Sequence, residues 1–466
     1  LQRYQTPDGF ARFDTRIETI GVRGAAPVVM TVRATRHGPV MSDAVPVLQQ
    51  ALPRGGGARY VLAMRWTAFE PGDRSLSAFR AMNRANDAKQ FEQALRDFTV
   101  VMQNVGFADA AGHIGFVAAG RVPLRRADDD LMGLPALGWD VRYDWQGWLP
   151  FEQLPRVIDP PDGIIVTANQ RVTPPGYPHF VTSEWNLPYR ADRIRALLND
   201  FPRHDTASFE RIQADVTSLA ARDFLQALRG TQPATEGGRA ALARLLAWDG
   251  TMRADEPEPL IFHAWLRKLR ARLFDDDFGP LGDSFVARSE MTHFTLDVLT
   301  GRAHARDWCD DLSTPDRHET CADQAAGALD EAVAELTRDG KRDLSTLRWG
   351  KAHRAVFEHR PLSFVPVLRD WFELGIADPG DTFTVDVGSL RLRGDHPFET
   401  RHAPSLRAIY DLSDGGGEWI FGPGQVGNPF SEHYGDLLTD WRNVRYRKVD
   451  WNMPKGPVLV LKPAGK

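Results

Sequence analysis

The stretch GIIVTANQRVTPPGYPHFVTSEWNLPYRADRI, residues 163–194, contains the most informative change of pattern in the chain. Its β-branched run Ile164–Thr167 favours a strand, and Asn169 lies two residues after the end of that run. A proline-rich turn comes next, and an arginine-rich sequence then begins a segment with helical spacing. This stretch therefore predicts the boundary between a strand-rich first part of the chain and a helical part.

Length and composition restrict the class of protein. The 466 residues exceed a single ordinary core, which predicts one large interwoven domain or two to three lobes. A hydrophobic fraction of 42% and a charged fraction of 26% are typical of soluble globular proteins. The net charge of −5 gives no basic surface for nucleic acid. No apolar run approaches the roughly 20 residues that span a bilayer, so neither nucleic acid nor membrane is an expected partner.

Hydrophobic periodicity divides the chain into three segments, 1–188, 189–347 and 348–466. The first segment has strand patterns at 16–43 and 60–66, one or two helices within 75–98 that Asn86 or Asp87 would cap, and a hairpin at 100–116 with its turn at 109–112. The second segment has helical spacing throughout and forms a helical lobe, with Asp205 or Thr206 as a further cap. The third returns to strands at 382–387, 405–412, 418–421 and 458–461. This order predicts an α+β fold in which the late strands rejoin the early sheet.

Common nucleotide-binding and nucleophile motifs do not fit. Gly422–Gly427 matches G-x-G-x-x-G, but Asn428-Pro429 prevents the helix that a dinucleotide site requires, so we predict a loop there. The sequence contains no G-x-S-x-G, no H-E-x-x-H and no Walker loop. An α/β-hydrolase nucleophile is therefore not supported.

The two cysteines, Cys309 and Cys321, have eleven residues between them. They are either unrelated buried thiols or a disulfide that closes a polar loop. Such a closure is worth about 3 kcal/mol in the chain-entropy model and would imply an oxidising compartment such as the periplasm. A zinc site is not expected, because His318 would add only one ligand to the two sulfurs.

Several stretches occur in a defined order along nearly the whole chain. They are Arg36–Val40 (RHGPV), Arg65–Glu70 (RWTAFE), Asn104–Phe116, Asp144–Phe151 (DWQGWLPF), residues 163–194, Ser405–Arg407 with Asp411–Ser413, and Gly424–Pro429. Together they resemble the larger, C-terminal part of the β chain of the penicillin acylase family of N-terminal-nucleophile amidohydrolases. The Cys309–Cys321 loop is also similar to a loop in periplasmic members of that family, which favours the disulfide.

The resemblance implies an αββα four-layer sandwich, incomplete in this chain, with a helical lobe, matured by self-cleavage. It also implies that a serine at the new β-chain N-terminus attacks an amide carbonyl, with its own α-amine as the base. An α-amine has a reference pKa near 8, which makes it a poised base at neutral pH without any histidine. The oxyanion donors in the family are an early backbone N–H and an asparagine amide. The matching asparagine is Asn169.

Asn169 and two nearby arginines are the candidate site residues. From the residues alone, Asn169 is typical of a turn that satisfies local backbone groups. Arg193 alone would be an exposed helix residue paired with Asp192 or Asn199. The resemblance implies instead that Asn169 is an oxyanion donor and that Arg193 orients it. Arg190 is the alternative arginine, because it lies equally close to the turn.

The resemblance places other functional parts outside this chain, which begins at Leu1. These parts are the nucleophile, the early backbone donor and the α chain, and a Ser, Thr or Cys roughly a hundred residues upstream is expected. The chain by itself is therefore predicted to be inactive. No cofactor is expected apart from a structural calcium, which some members bind. Glu184 or Asp128 could offer it an oxygen, although such sites need about six ligands.

The predicted function is hydrolysis of linear amides. Candidate substrates are small N-acyl amines, such as a β-lactam side chain or an N-acyl-homoserine lactone. One alternative is a cephalosporin-type acylase with another acyl preference. The other alternative is a catalytically incompetent scaffold or binding protein with the same fold. A periplasmic or secreted location follows from the expected disulfide.

Overall fold

The computed structural model describes residues 2–50, 52–53, 59–279, 282, 291–303, 305–338, 341–394, 396–413, 415–448, 460 and 462. The chain divides into two compact units. The first contains Leu1–Thr167 and Arg171–Trp185, and the second contains Ala168–Gln170 and Asn186–Lys466. The division into three segments that periodicity suggests is not tested by these units and stays a prediction.

The first unit consists of antiparallel sheets and short helices. Its sheets pair in the orders β1-β2, β3-β4-β5 and β6-β7-β8. The elements are β1 (Arg3–Thr6), β2 (Gly9–Arg12), β3 (Asp14–Ile20), β4 (Val28–Thr35), β5 (Gly38–Pro39), α1 (Pro46–Gln50), α2 (Ser75–Met82), α3 (Ala88–Ala94), β6 (Gln103–Ala108), β7 (Ile114–Ala119) and β8 (Arg156–Ile158). The predicted strands within 16–43, the helices within 75–98 and the hairpin at 100–116 are confirmed. The predicted strand at 60–66 is wrong, since only one isolated bridge forms there, between Val40 and Ala63.

Local side-chain hydrogen bonds explain where these elements begin and turn. The carboxylate of Asp87 accepts from the backbone N–H of Gln90 at 2.7 Å and caps α3, so Asp87 rather than Asn86 is the cap. In the hairpin turn, Asp109 Oδ1 accepts from the backbone N–H groups of Ala111 and His113, each at 3.0 Å. These bonds satisfy amides that a ladder or helix would otherwise leave unpaired.

Two of the motif stretches meet in the first unit at Asp144. Its Oδ2 accepts from Arg36 Nη1 at 2.7 Å, and its Oδ1 lies 3.0 Å from His37 Nε2. The adjacent Gly38 has a φ of 135°, and a Cβ there would lie 2.3 Å from the carbonyl oxygen of Met64. Only glycine fits this close approach, which accounts for the glycine in RHGPV.

The second unit combines a helical bundle with two later sheets. The helices are α4 (Tyr189–Asn199), α5 (Thr206–Gln213), α6 (Leu219–Ala227), α7 (Glu236–Ala247), α8 (Glu258–Phe278), α9 (Met291–Leu299), α10 (Cys321–Thr337), α11 (Trp349–Ala352), α12 (Pro366–Phe372) and α13 (Leu438–Arg442). The strands are β9 (Arg354–Phe357), β10 (Leu374–Ala377), β11 (Ser389–Leu390), β12 (Thr400–His402), β13 (Leu406–Asp411), β14 (Gly416–Phe421) and β15 (Arg447–Lys448). They pair in the orders β10-β9-β12-β11 and β13-β14-β15.

The core of the second unit forms around α8, which is buried on most of its surface. Trp265 of α8 is fully buried, and its indole N–H donates to the carbonyl of Ala325 in α10 at 3.0 Å. The Cys309–Cys321 disulfide is formed at the start of α10, which confirms that prediction. None of the helices in the described ranges combines the length and apolar character that crossing a bilayer requires.

The late strands match the predictions only in part. The strands at 405–412 and 418–421 are confirmed as the hairpin β13–β14, and Gly422–Gly427 is the predicted loop. The strand at 382–387 is wrong. Backbone N–H groups there bond to nearby side chains rather than to a neighbouring strand. Asp381 Oδ1 accepts from the backbone N–H of Phe383 at 2.7 Å, and Thr384 Oγ1 accepts from the backbone N–H of Asp381 at 2.9 Å. Residues 458, 459 and 461 of the last predicted strand lie outside the described residues. The late strands pair with one another, and these pairings do not return them to an early sheet.

The capping box of α5 gives a first testable prediction. Asp205 Oδ1 accepts from the backbone N–H of Ser208 at 2.7 Å, and Ser208 Oγ accepts from the backbone N–H of Asp205 at 2.9 Å. Asp205→Ala should lower the free energy of unfolding by about 1 kcal/mol, measured by urea denaturation. Asp316→Ala, at an exposed position with no side-chain hydrogen bond to any described residue, is the control. Equal losses in both variants would contradict the capping role.

Candidate active site

Asn169 lies in a three-residue turn, Ala168–Gln170, that belongs to the second unit, whereas its flanking residues belong to the first. Its φ of 67° is in the left-handed region, which asparagine adopts more readily than most residues with a side chain. The predicted strand Ile164–Thr167 is not formed, because no described strand pairs with it. Asn169 therefore lies after a β-branched segment that belongs to no sheet of the described structure.

Three hydrogen bonds fix the backbone of this turn. The N–H of Ala168 donates to Gln170 Oε1 at 2.6 Å, and the N–H of Asn186 donates to the carbonyl of Asn169 at 3.0 Å. Arg190 Nη2 donates to the carbonyl of Ala168 at 2.7 Å. The turn is thereby attached to the beginning of α4, although twenty residues of sequence lie between Asn169 and Arg190.

The side chain of Asn169 has a defined orientation. Arg190 Nη2 also lies 2.9 Å from Asn169 Oδ1. A guanidinium can only donate, so the Asn169 atom that faces it must be the carbonyl oxygen. The Nδ2 group consequently points away from Arg190, and no described residue accepts a hydrogen bond from it. Its two hydrogens are available to an oxygen atom of a ligand.

Arg190 is a cation without a carboxylate partner among the described residues. Its two acceptors are the backbone carbonyl oxygen of Ala168 and the side-chain Oδ1 of Asn169. Burial lowers the pKa of Arg190, although an arginine stays charged at neutral pH. A positive charge held against Oδ1 polarises the amide and makes its Nδ2 hydrogens better donors.

Arg193 has a different partner. Its Nε and Nη2 donate to Asp215 Oδ1 and Oδ2 at 2.9 and 2.6 Å, which is a bidentate pair between α4 and the connection from α5 to α6. This bond to Asp215 raises the pKa of Arg193. The expected contact between Arg193 and Asn169 is absent from the described structure, as is pairing with Asp192 or Asn199. The contact is made by Arg190, the alternative, and the orienting role itself stays a prediction.

Two residues of this arrangement were not identified in the sequence. Gln170 is adjacent to Asn169, and its side chain returns to an amide two residues earlier, a local pattern that the sequence could have suggested. Asn186 contributes only its backbone N–H, so its residue type carries no signal. Tertiary structure alone reveals that second contact.

The calcium site that Asp128 or Glu184 could join stays a prediction. Asp128 Oδ1 accepts from Arg126 Nε at 2.8 Å, and this bond lowers the pKa of Asp128. Glu184 is exposed. Across the described ranges, no group of three or more His, Cys, Asp or Glu side chains could hold a metal ion.

Comparisons with known proteins agree with the resemblance. Residues 2–455 match the Penicillin amidase family model. The chain is 31% identical to the acyl-homoserine lactone acylase QuiP of Pseudomonas aeruginosa, over 92% of this chain and 54% of that protein. It is 30% identical to the penicillin acylase 2 proenzyme of Pseudomonas sp. strain SE83, over 95% of this chain and 55% of that protein. The chain thus spans about half the length of the curated relatives it matches.

A solved structure supports the fold. The chain superimposes on a thermostable penicillin G acylase from Alcaligenes faecalis with a TM-score of 0.72, covering 100% of this chain and 84% of that one, at 20% identity. This similarity confirms the predicted fold class, the αββα architecture of N-terminal-nucleophile hydrolases. With the family match over most of its length, the chain belongs to the penicillin amidase family.

Proposed function

We propose that this chain supplies the oxyanion-stabilising part of an acylase that hydrolyses linear amides. The observation that carries the proposal is the Asn169 amide, whose Oδ1 is held by Arg190 so that Nδ2 is presented for donation. The names of the relatives, acyl-homoserine lactone acylase and penicillin acylase, support this reaction class. Two substrate classes follow: N-acyl-homoserine lactones and the amide side chain of a β-lactam.

The proposed reaction uses a serine that this chain does not contain. The hydroxyl of that N-terminal serine attacks the amide carbonyl, and its α-amine takes the proton. The carbonyl oxygen becomes negative, and Asn169 Nδ2 donates to it. The amine then leaves with a proton, and water hydrolyses the acyl-serine to release the acid. A donor of this kind typically stabilises the transition state by about 2.7–4 kcal/mol.

The proposed partners are the α chain and the N-terminal part of the β chain. Those parts would supply the nucleophile, the second oxyanion donor and most of the acyl pocket. The Cys309–Cys321 disulfide supports a periplasmic or secreted location, because such bonds persist in oxidising compartments.

The test uses the complete precursor rather than this chain alone. After processing, it is incubated with an N-acyl-homoserine lactone and, separately, with a penicillin. Mass spectrometry should detect the free acid and the free amine in equal amounts, and the kcat/KM values rank the two substrate classes. A precursor whose junction serine is replaced by alanine is the control. A correctly processed enzyme that releases neither product from any acyl amide tested would support the scaffold instead.

A further inference from the structure

Three buried polar side chains meet at the ends of strands in the four-stranded sheet of the second unit. His353 directly precedes β9, Asp378 directly follows β10, and Thr400 is the first residue of β12. Their exposed fractions are 0%, 5% and 8%. Thr400 Oγ1 lies 3.1 Å from His353 Nε2 and 3.0 Å from Asp378 Oδ2. One hydroxyl therefore bridges two titratable groups away from water.

A count of hydrogens shows that this bridge needs one proton more than a neutral histidine, a threonine hydroxyl and an aspartate carboxylate supply together. His353 Nδ1 contacts the carbonyl of Phe398, which can only accept, so Nδ1 carries a hydrogen. The two contacts of Thr400 Oγ1 require one hydrogen each, and the hydroxyl supplies one. The second must lie either on His353 Nε2, as imidazolium, or on Asp378 Oδ2, as a carboxylic acid. Without it, one buried polar atom would lose its partner, which is costly.

We propose that His353, Thr400 and Asp378 form a buried hydrogen-bond chain that holds one proton on Asp378 and joins the ends of three strands. Asp378 then donates to Thr400, and Thr400 donates to the neutral His353. Thr400 also lines a cavity of about 770 Å³. Loss of this proton leaves a carboxylate inside the sheet and His353 Nε2 without a donor.

The surroundings of His353 favour its neutral form. Its ring stacks on Trp349 at 4.5 Å, and the ring of His263 also stacks on Trp349, at 4.9 Å. Asp381 Oδ2 lies 3.6 Å from His263 Nε2 and is the nearest acid on that side. Burial lowers the pKa of His353 to about 4, because an imidazolium would be desolvated there.

The surroundings of Asp378 favour its protonated form. Burial, and then the negative charge of Asp386, raise the pKa of Asp378 to about 7. Asp386 is itself paired with Arg407, and both side chains are buried. Arg407 and Arg442 oppose the shift by attracting a carboxylate, but they do not outweigh desolvation. The neutral acid and the neutral imidazole therefore fit the same chain of hydrogen bonds.

The two groups affect stability with opposite signs. Protonated Asp378 contributes its full stabilisation of the fold below the ordinary pKa of an aspartate, 3.8. That stabilisation is lost as the pH rises through the raised pKa of about 7. Neutral His353 stabilises the fold above the ordinary pKa of a histidine, 6.5. That stabilisation is lost as the pH falls through the lowered pKa of about 4. The two slopes oppose each other across most of this range. The pH dependence that one group gives to stability is therefore measured by comparing the native chain with a variant that lacks that group.

Asp378→Asn provides that variant, because its amide imitates the protonated acid and donates to Thr400. The ratio of the native unfolding constant to that of Asp378→Asn should increase about tenfold per pH unit between about pH 4 and pH 7 and stay constant above. Asp316→Asn, at an exposed position, should give a constant ratio. A ratio for Asp378→Asn that is constant or falls over this range would overturn the proposal.

Infrared spectroscopy of the native chain and a pair of Thr400 variants provide independent readouts. A carboxylic-acid carbonyl band should be present at about pH 5.5 and absent at about pH 9, and the band at about pH 5.5 should be weaker in the Asp378→Asn spectrum. Thr400→Ser keeps the hydroxyl and should retain the band and the protection of β9 and β12 amides from hydrogen exchange. Thr400→Val removes the hydroxyl and should lose protection in those strands. Identical difference spectra for the native chain and Asp378→Asn would refute the shared proton even if Thr400→Val did not fold.

Discussion

Asn169→Ala in the complete, processed enzyme is expected to lower kcat by about 10²–10³-fold. The reason is the loss of Nδ2, the group that Arg190 leaves free to donate to the developing oxyanion. Because that charge exists only in the transition state, KM should change much less than kcat. Steady-state kinetics on a chromogenic acyl amide measure both constants.

The control for Asn169→Ala removes the same side chain at a neutral position. Asn199, the last residue of α4, is exposed and makes no side-chain hydrogen bond with any described residue. Asn199→Ala should keep native kinetics. Circular dichroism and processing of the precursor should be unchanged in both variants. A value of kcat for Asn169→Ala within a factor of two or so of the native one would remove this amide from the oxyanion site.

Arg190→Met is expected to lower kcat by about 10²-fold, because the Asn169 amide then loses the donor that orients it and can rotate away from the productive geometry. Arg190→Lys retains one cationic donor and should restore part of the loss. Arg193→Met should instead act on stability, since it leaves Asp215 without its bidentate partner, a change of about 1–3 kcal/mol. Kinetics and urea denaturation of the three variants separate these effects.

Comparing the Arg190 and Arg193 variants shows which of the two arginines orients Asn169. If Arg193→Met lowered kcat as much as Arg190→Met while the free energy of unfolding stayed native, the orienting role would return to Arg193. An unaltered kcat in Arg190→Met would show that Asn169 is held by other contacts. Both outcomes are measurable without knowledge of the natural substrate.

Features set by neighbouring residues were predictable from the sequence. The caps at Asp87 and Asp205 and the turn at Asp109 depend on side chains that reach amides two to four residues away. The Cys309–Cys321 disulfide, between residues twelve positions apart, was favoured over two separate thiols by the family resemblance. The fold class followed from motifs spread over the chain rather than from any single pattern.

Features set by distant partners were not predictable. Residues 60–66 and 382–387 have strand-like composition, but a strand also needs a paired neighbour, which composition does not specify. Arg190 and Arg193 lie three residues apart and therefore on the same side of α4. Asp215, on another element, binds Arg193, and only the folded chain shows that Arg190 is the one left for Asn169.

The bond between the backbone N–H of Asn186 and the carbonyl of Asn169, at 3.0 Å, brings together the two ends of the excursion 171–185. A tight turn of a few residues could therefore replace that excursion at a small entropic cost. A shortened polypeptide made of 168–170, such a turn, and 186–466 would keep Asn169 beside Arg190. Simple truncation at Asn186 would retain the helices and late strands and discard the amide. Deletion boundaries for this protein are thus dictated by spatial neighbours rather than by sequence order.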